Sequence, residues 1–171
     1  MTDTQQKFFD RINKLGTGER ASLRREAGIM IRDADAAALR TFYSCLPSSV
    51  NTNQEGMWFA VACLRCLWDP SEVNGTPIEQ IISSLLAKDE LSESTKHRVE
   101  LLLDTKWGDD GYMLTKLSRL IKLVRQKSGT AAVDFASLLD DVIYWNASSQ
   151  TVQRKWARAI YTNAKNEEGT E

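Results

Sequence analysis

Histidine and cysteine, two of the commonest metal-binding residues, are scarce in this sequence: His97 stands alone, and Cys45, Cys63 and Cys66 are the three cysteines of 171 residues. One histidine removes most histidine-rich metal centres, and three cysteines cannot all pair within one chain. With three prolines and nine glycines the chain has few breaks, and it shows no internal repeat or low-complexity tract. No run approaches the ~20 apolar residues that cross a bilayer. The N-terminal MTDTQQKFFDRINK mixes acids and bases and lacks the apolar stretch of a secretory signal. A Gly-rich phosphate loop, a nucleophile elbow and a zincin helix are all missing. These absences lead us to expect a cytoplasmic protein, neither spanning nor needing a membrane, that uses no metal or cofactor and is not an enzyme.

What is present is an ordinary globular composition, 42% apolar and 26% charged, long enough to fold on hydrophobic burial alone. Apolar residues recur at spacings of three and four, the helical period. The spacing predicts an all-α fold of about nine helices, with a frayed acidic tail at 166–171; the length allows one compact domain or two small lobes sharing an interface. Thr2 or Asp3 starts the first helix, and a short second one follows from Gly18. Asp33 or Asp35 caps a third, which Pro47 stops. The segment MWFAVACLRCLW is apolar on nearly all sides and should be the buried helix, with Trp58, Phe59, Val61, Leu64 and Leu67 in the core. DPSEVNGTP is the strongest break, after which Pro77 opens the first turn of a fifth helix. Ser92 or Ser94 starts the sixth, Asp109 caps the seventh, which Gly129 ends, Asp134 starts the eighth, and the ninth runs from about Ser148 to Lys165.

Charge is uneven. The whole chain sums to -1, yet residues 69–110 carry ten acids against four bases and residues 111–133 carry five bases and no acid. Residues 7–32 add seven bases against three acids, and residues 152–165 add Arg154, Lys155, Arg158 and Lys165 with no acid. On a helical wheel, Met113, Leu114, Leu117, Leu120, Ile121 and Val124 share one face of the seventh helix. Lys116, Arg119, Lys122, Arg125 and Lys127 take the other. A merely solvated face usually mixes signs, because opposite charges four apart stabilise a helix and like charges cost a similar amount. The ninth helix repeats the pattern: Arg154, Arg158, Tyr161 and Lys165 lie opposite Val152, Trp156 and Ile160, an arrangement suited to a polyanion with stackable bases. Arg24 and Arg25 can each fork onto phosphate oxygens. Side chains from separate helices are expected to converge into one channel for a nucleic acid. The competing reading is a protein-interaction module whose basic helices dock on an acidic protein partner, a second copy included.

Cys63 and Cys66 have the C-x-x-C spacing of redox and zinc motifs, but they lie inside an apolar helix and read as small core residues. A zinc site that adds Cys45 and His97 lacks paired ligand spacing. Asp109-Asp110 and Asp140-Asp141 are neighbours on a helix, pointing about 100° apart, so each pair reads as a cap or a surface pair rather than a metal clamp.

Three patches together carry a family resemblance: Gly18-x-x-Ala21-x-Leu23-Arg24-Arg25, Lys116-Leu117-x-Arg119-Leu120, and Asp134-x-x-x-Leu138…Trp145…Arg154-Lys155-Trp156-Ala157-Arg158-x-x-Tyr161. Over roughly residues 5–165 the sequence resembles the CasB small subunit of type I-E CRISPR Cascade complexes. The resemblance implies an all-α, non-catalytic subunit, a compact bundle of an N-terminal helical lobe at 1–90 and a C-terminal one at 91–165. Two copies would lie head to tail in a crRNA-bearing surveillance complex of antiviral defence, beside CasC and the large CasA subunit. Their basic surface would hold the crRNA–target duplex and the displaced DNA strand, stabilising the R-loop. Arg24, Arg25, Arg98, Arg119, Arg154 and Arg158 stand where the family places bases. Asn53, Gln54 and Glu55 depart from it, at a corner where a base is expected.

Overall fold

Helix starts in this protein follow the polar residues that precede them. The structure, a computed structural model, describes residues 1–70, 75–129 and 131–163. Among these it forms nine α-helices: α1 (Asp3–Asn13), α2 (Thr17–Arg25), α3 (Ala36–Cys45), α4 (Glu55–Arg65), α5 (Ile78–Ala87), α6 (Glu93–Leu103), α7 (Tyr112–Ser128), α8 (Phe135–Ile143) and α9 (Thr151–Asn163). The Thr2 hydroxyl accepts the Gln5 N–H at 3.2 Å while the Gln5 side chain accepts the Thr2 N–H at 2.8 Å, a reciprocal cap. Asp35 caps α3 through Ala38 N–H at 2.8 Å, Ser92 caps α6 through Thr95 N–H at 3.3 Å, and Asp134 caps α8 through Ser137 N–H at 2.9 Å.

The expected caps differ from the observed ones at two places. Pro77 stands one residue before α5. Asp109 does not cap α7; that position belongs to Gly111, in the left-handed region at φ 69°, and the neighbouring Asp110 carboxylate accepts the Tyr112 N–H at 3.0 Å. Only a residue without a Cβ enters this turn cheaply, since a Cβ there would meet the Met30 side chain at 3.0 Å. Before α4 the chain makes a 3₁₀ turn at Thr52–Gln54. The tail at 166–171 and Lys165 lie outside the described residues.

Helix α4 is buried on nearly every side, from Trp58 to Leu64, and Leu67 beyond it is only partly buried. Around it the rings meet edge to face: Phe8 on Trp58 at 4.9 Å and Phe42 on Phe59 at 5.3 Å between centroids, an arrangement that adds about 0.5–1.5 kcal/mol per pair beyond burial. Helix α2 packs on α3 and α4, α5 on α9 and α7, and α6 on α7 and α9. Helix α8 reaches back to α4 and α1. The two groups of helices thus exchange members across the chain, α5 joining the later helices and α8 the earlier, and one continuous core runs through both. Among the described residues no strand forms; Thr76 and Val133 make an isolated parallel bridge at the seam. No described helix is long and apolar enough to cross a membrane.

The junction of the two groups is fastened by guanidinium groups on helix-end carbonyls. Arg20, only 8% exposed, donates to Trp68 O at 2.6 Å and to Ile12 O at 3.2 Å. Trp68 in turn donates its indole N–H to Ala131 O at 3.0 Å and lies edge-on to Phe135. Removing this cation strips the Trp68 carbonyl of its buried donor and takes one donor from Ile12 O, which keeps the Leu15 N–H at 3.3 Å. Arg20→Ala is therefore expected to lower the unfolding free energy by about 2–4 kcal/mol, with Arg20→Lys recovering less than half, since one ammonium on a flexible stem does not reproduce the fork. Urea denaturation followed by circular dichroism measures both.

Candidate nucleic-acid interface

Helix α7 buries the apolar face expected of it: Met113, Leu114, Leu117, Leu120, Ile121 and Val124 are all in the core. The opposite side is not used uniformly. Arg119 is exposed, and with Lys116 and Lys122 it lines a groove of about 530 Å³ whose other wall carries Arg98 of α6. Among the described residues, none of Arg98, Lys116 and Arg119 makes an ion pair. Four cationic side chains from two helices, none with an ion-paired countercharge among the described residues, make an anion-attracting wall.

Lys122 has a second role. Its ammonium donates to Ala27 O at 2.8 Å, tying α7 to the turn after α2. That turn passes close against α7 through Gly28, at φ 104°, where a Cβ would fall 2.6 Å from the Ser118 hydroxyl. Arg125 is turned inward: it donates to Leu67 O at 3.3 Å and to Gly129 O at 2.7 Å, with its guanidinium 5.3 Å from the Trp68 ring centroid. Lys127 is exposed in the last turn of the helix. Arg24 and Arg25 are exposed in the last turn of α2, and the charge of Arg24 reaches Cys66 at the end of α4.

A second groove, about 1030 Å³ and open, runs between α5 and α9, with Gln80 and Ser84 on one side and Arg154, Lys155 and Arg158 on the other. Arg154 and Arg158 are exposed, and among the described residues they too have no ion pair. Lys155 does. Its ammonium sits 2.7 Å from both oxygens of Asp141 and 3.3 Å from Glu79, and the Trp156 indole donates to the same Asp141 at 2.7 Å. Asp141 is 5% exposed and Glu79 4%, which corrects the reading of Asp140-Asp141 as a surface pair. Asp140 accepts from the Gln5 side chain. Burial raises the Asp141 carboxyl above the usual carboxylate range, against the lowering by Lys155 and Trp156. For Lys155, burial opposes the ammonium, but Asp141 and Glu79 outweigh it and the pKa rises.

The positive residues therefore gather in two grooves and one cluster at the end of α2, not in a single channel. Between the grooves lies α6, whose Arg98 faces α7. Glu100 and Asp104 of the same helix stand near Tyr161 of α9, whose phenol is raised by burial and by these two carboxylates. Tyr161 is thus an aromatic beside acids. The aromatic beside bases is Tyr112, with the Lys116 ammonium 4.4 Å from its ring centroid, and the sequence signal for it is its spacing of four from Lys116 and seven from Arg119. At the corner where a base is missing, Glu55 accepts a hydrogen bond from the Tyr43 hydroxyl at 2.9 Å.

The cysteines are buried and free. Burial pushes the Cys63 thiol well up and the Cys66 thiol up to about 11, leaving both as unreactive thiols at neutral pH. Among the described residues no cluster of three or more His, Cys, Asp or Glu is arranged to hold a metal.

The fold is that of solved CRISPR proteins. A CRISPR-associated protein of the Cse2 family from Thermus thermophilus superposes with a TM-score of 0.74 at 23% identity over 95% of this chain and 99% of that one. CasB of M. ruber gives 0.70 at 20% identity over 98% of each chain. A chain of a structure described as a CRISPR RNA-guided surveillance complex gives 0.74 at 20% over 95% and 94%. No curated protein matches. The family model of CRISPR-associated protein Cse2 matches residues 19–161. The chain belongs to the Cse2 family. Its matched span runs from α2 into the last turns of α9 and contains every base of both grooves.

The double use of Lys155 has a measurable consequence. Lys155→Ala leaves two buried carboxylates without their cation and is expected to cost about 2–3 kcal/mol, below the 3–5 typical of fully buried pairs because this ammonium is partly solvated. Arg158→Ala stays within about 0.5 kcal/mol. A folded-state pKa above the unfolded one means that the Lys155 contribution is complete through neutral pH and is lost only as alkali deprotonates the ammonium, above the ordinary lysine pKa of 10.5. Thermal melts of both variants from neutral to strongly alkaline pH test the ranking and the sign.

Proposed function

We propose that this chain is the small, non-catalytic subunit of a CRISPR RNA-guided surveillance complex, and that its exposed bases hold nucleic acid by the backbone. The observation that carries the proposal is the groove between α6 and α7, where Arg98, Lys116, Arg119 and Lys122 converge in a member of the Cse2 family. The second groove, through Arg154 and Arg158, supports the same reading. In this reading the partners are crRNA, the target strand and the displaced strand, with CasA and CasC as protein neighbours and two copies of the chain per complex, in the cytoplasm.

The mechanism is electrostatic. Exchange of DNA pairs for RNA–DNA pairs during R-loop formation is nearly balanced, so modest backbone contacts decide whether the open state persists. Contacts to phosphates carry no sequence information and leave recognition to the guide. Catalysis has no part in the proposal: the grooves carry arginine and lysine side chains that bind and position a polyanion.

Lys122 and Lys155 are unsuitable for testing this, because both also hold the fold. Arg98→Glu with Arg119→Glu removes two phosphate contacts without touching buried groups. In the assembled complex this pair is expected to shorten the lifetime of the R-loop and to lower the salt slope of target binding by roughly two, one per contact. R-loop lifetimes and a salt titration that match the unsubstituted complex would count against the proposal.

A further inference from the structure

We propose that Tyr112 is a base-stacking platform, and that the groove between α6 and α7 accordingly takes an unpaired strand in preference to a duplex. The inference rests on the reading above that this surface holds nucleic acid; it adds which form enters this groove and the residue that selects it.

Tyr112 is the first residue of α7 and is 58% exposed. Tyr112 lies outside the buried core, and its ring meets Lys116, one turn on, whose ammonium lies 4.4 Å from the ring centroid. The cation braces the ring from one side while more than half of the residue stays open to solvent. Lys116 itself lines the groove with Arg98 and Arg119, so the ring and the phosphate-binding wall are joined through one side chain. Tyr112 and Arg119 are seven residues apart, roughly 10 Å along the helix axis. A base on the ring would thus leave its backbone within reach of Lys116 and Arg119.

Stacking of this kind needs a base with a free face, which a duplex presents only at its ends, and it tolerates any sequence. Asp110 and the neighbouring Asp109 stand before Tyr112 and repel phosphate, so the strand leaves the ring towards Arg119 and Lys122. Among the described residues that line the other groove there is no aromatic ring. Tyr161 of α9 lies beside Glu100 and Asp104, and the α5–α9 wall offers its arginines to the backbone alone.

The test uses the full chain at low salt with three fluorescent probes of equal length: oligothymidylate, the same strand made abasic, and a duplex. Stacking predicts that the chain binds the base-bearing strand more tightly than the abasic one. Tyr112→Ala should weaken the oligothymidylate complex roughly 5- to 20-fold, leaving the abasic and duplex complexes within about twofold, while Tyr112→Phe keeps the preference. Arg119→Glu should weaken all three. Equal loss on every probe, or none, with Tyr112→Ala overturns the stacking role, and a simultaneous response to Arg119→Glu leaves the holding function standing. If Arg119→Glu also changes nothing, or no probe is retained, both fall. Unchanged thermal melts of Tyr112→Ala, expected for an exposed ring, confirm that fold is not the variable.

Discussion

The turn that follows α4 carries the chain inward to Leu67 and Trp68, and the seating of α2 and α7 depends on what satisfies the carbonyls there. A helix leaves its last carbonyls unbonded, and this one ends in the interior. Arg20 of α2 takes Trp68 O and Arg125 of α7 takes Leu67 O. The Trp68 ring lies under the Arg125 guanidinium and edge-on to Phe135, the first residue of α8. Two guanidinium groups and one indole therefore fix the positions of α2, α7 and α8 against α4. Arginine is suited to the task because a planar fork carries a weakly hydrated charge and several donors into a partly buried place. With the C-terminal part of α7 held in this way, and Lys122 on Ala27 O, the face bearing Arg119 is presented at a fixed angle beside Arg98.

Part of the positive charge counted in the sequence is consequently structural. Arg11 bonds Cys45 O, Arg20 bonds Ile12 O and Trp68 O, Arg65 bonds Asp69 O, and Lys155 answers Glu79 and Asp141. These cations neutralise helix ends and buried acids and contribute little to the outside field. Of the bases read from the sequence as nucleic-acid contacts, Arg24, Arg25, Arg98, Arg119, Lys127, Arg154 and Arg158 are exposed and make neither an ion pair nor a side-chain hydrogen bond among the described residues, and six of these seven are arginines.

The sequence made the helices, their faces and the family resemblance legible because those are local or stripe-like signals. The apolar face of α7 and the stripe of Val152, Trp156 and Ile160 in α9 follow from a spacing of three and four. The same rule, applied more strictly, separates Lys155 from its neighbours: it lies three residues after the buried Val152, on the edge of the stripe. Asp141 likewise lies three after Leu138. Polar residues at stripe positions point at one another across helices, and no local rule says which partner each will meet. Lys155 finds Glu79 at a separation of 76 positions, which a single sequence does not encode in readable form. The cap of α7 escapes a local reading for a related reason. Asp109, Asp110 and Gly111 all have cap chemistry, and the approach of Met30 to Gly111 selects among them.

A chain of net charge -1 with two positive grooves has an unusual electrostatic reach. At physiological ionic strength the Debye length is about 8 Å, so a strand more than a nanometre away sees the screened total, which is close to zero, and is not steered in. Within the groove it sees Arg98, Lys116, Arg119 and Lys122 alone. The acidic side of α6, with Glu100 and Asp104 near α9, keeps the two grooves apart and discourages a single polyanion from crossing between them. Such a surface captures poorly from solution and holds well what is delivered to it, since short-range charge-assisted contacts survive screening better than a distant field does. For a subunit with no sequence preference of its own, that division is useful. In the proposed role, strong steering would load it with any passing nucleic acid, whereas contact-range binding would act once guide pairing had separated the strands and placed one of them against the wall.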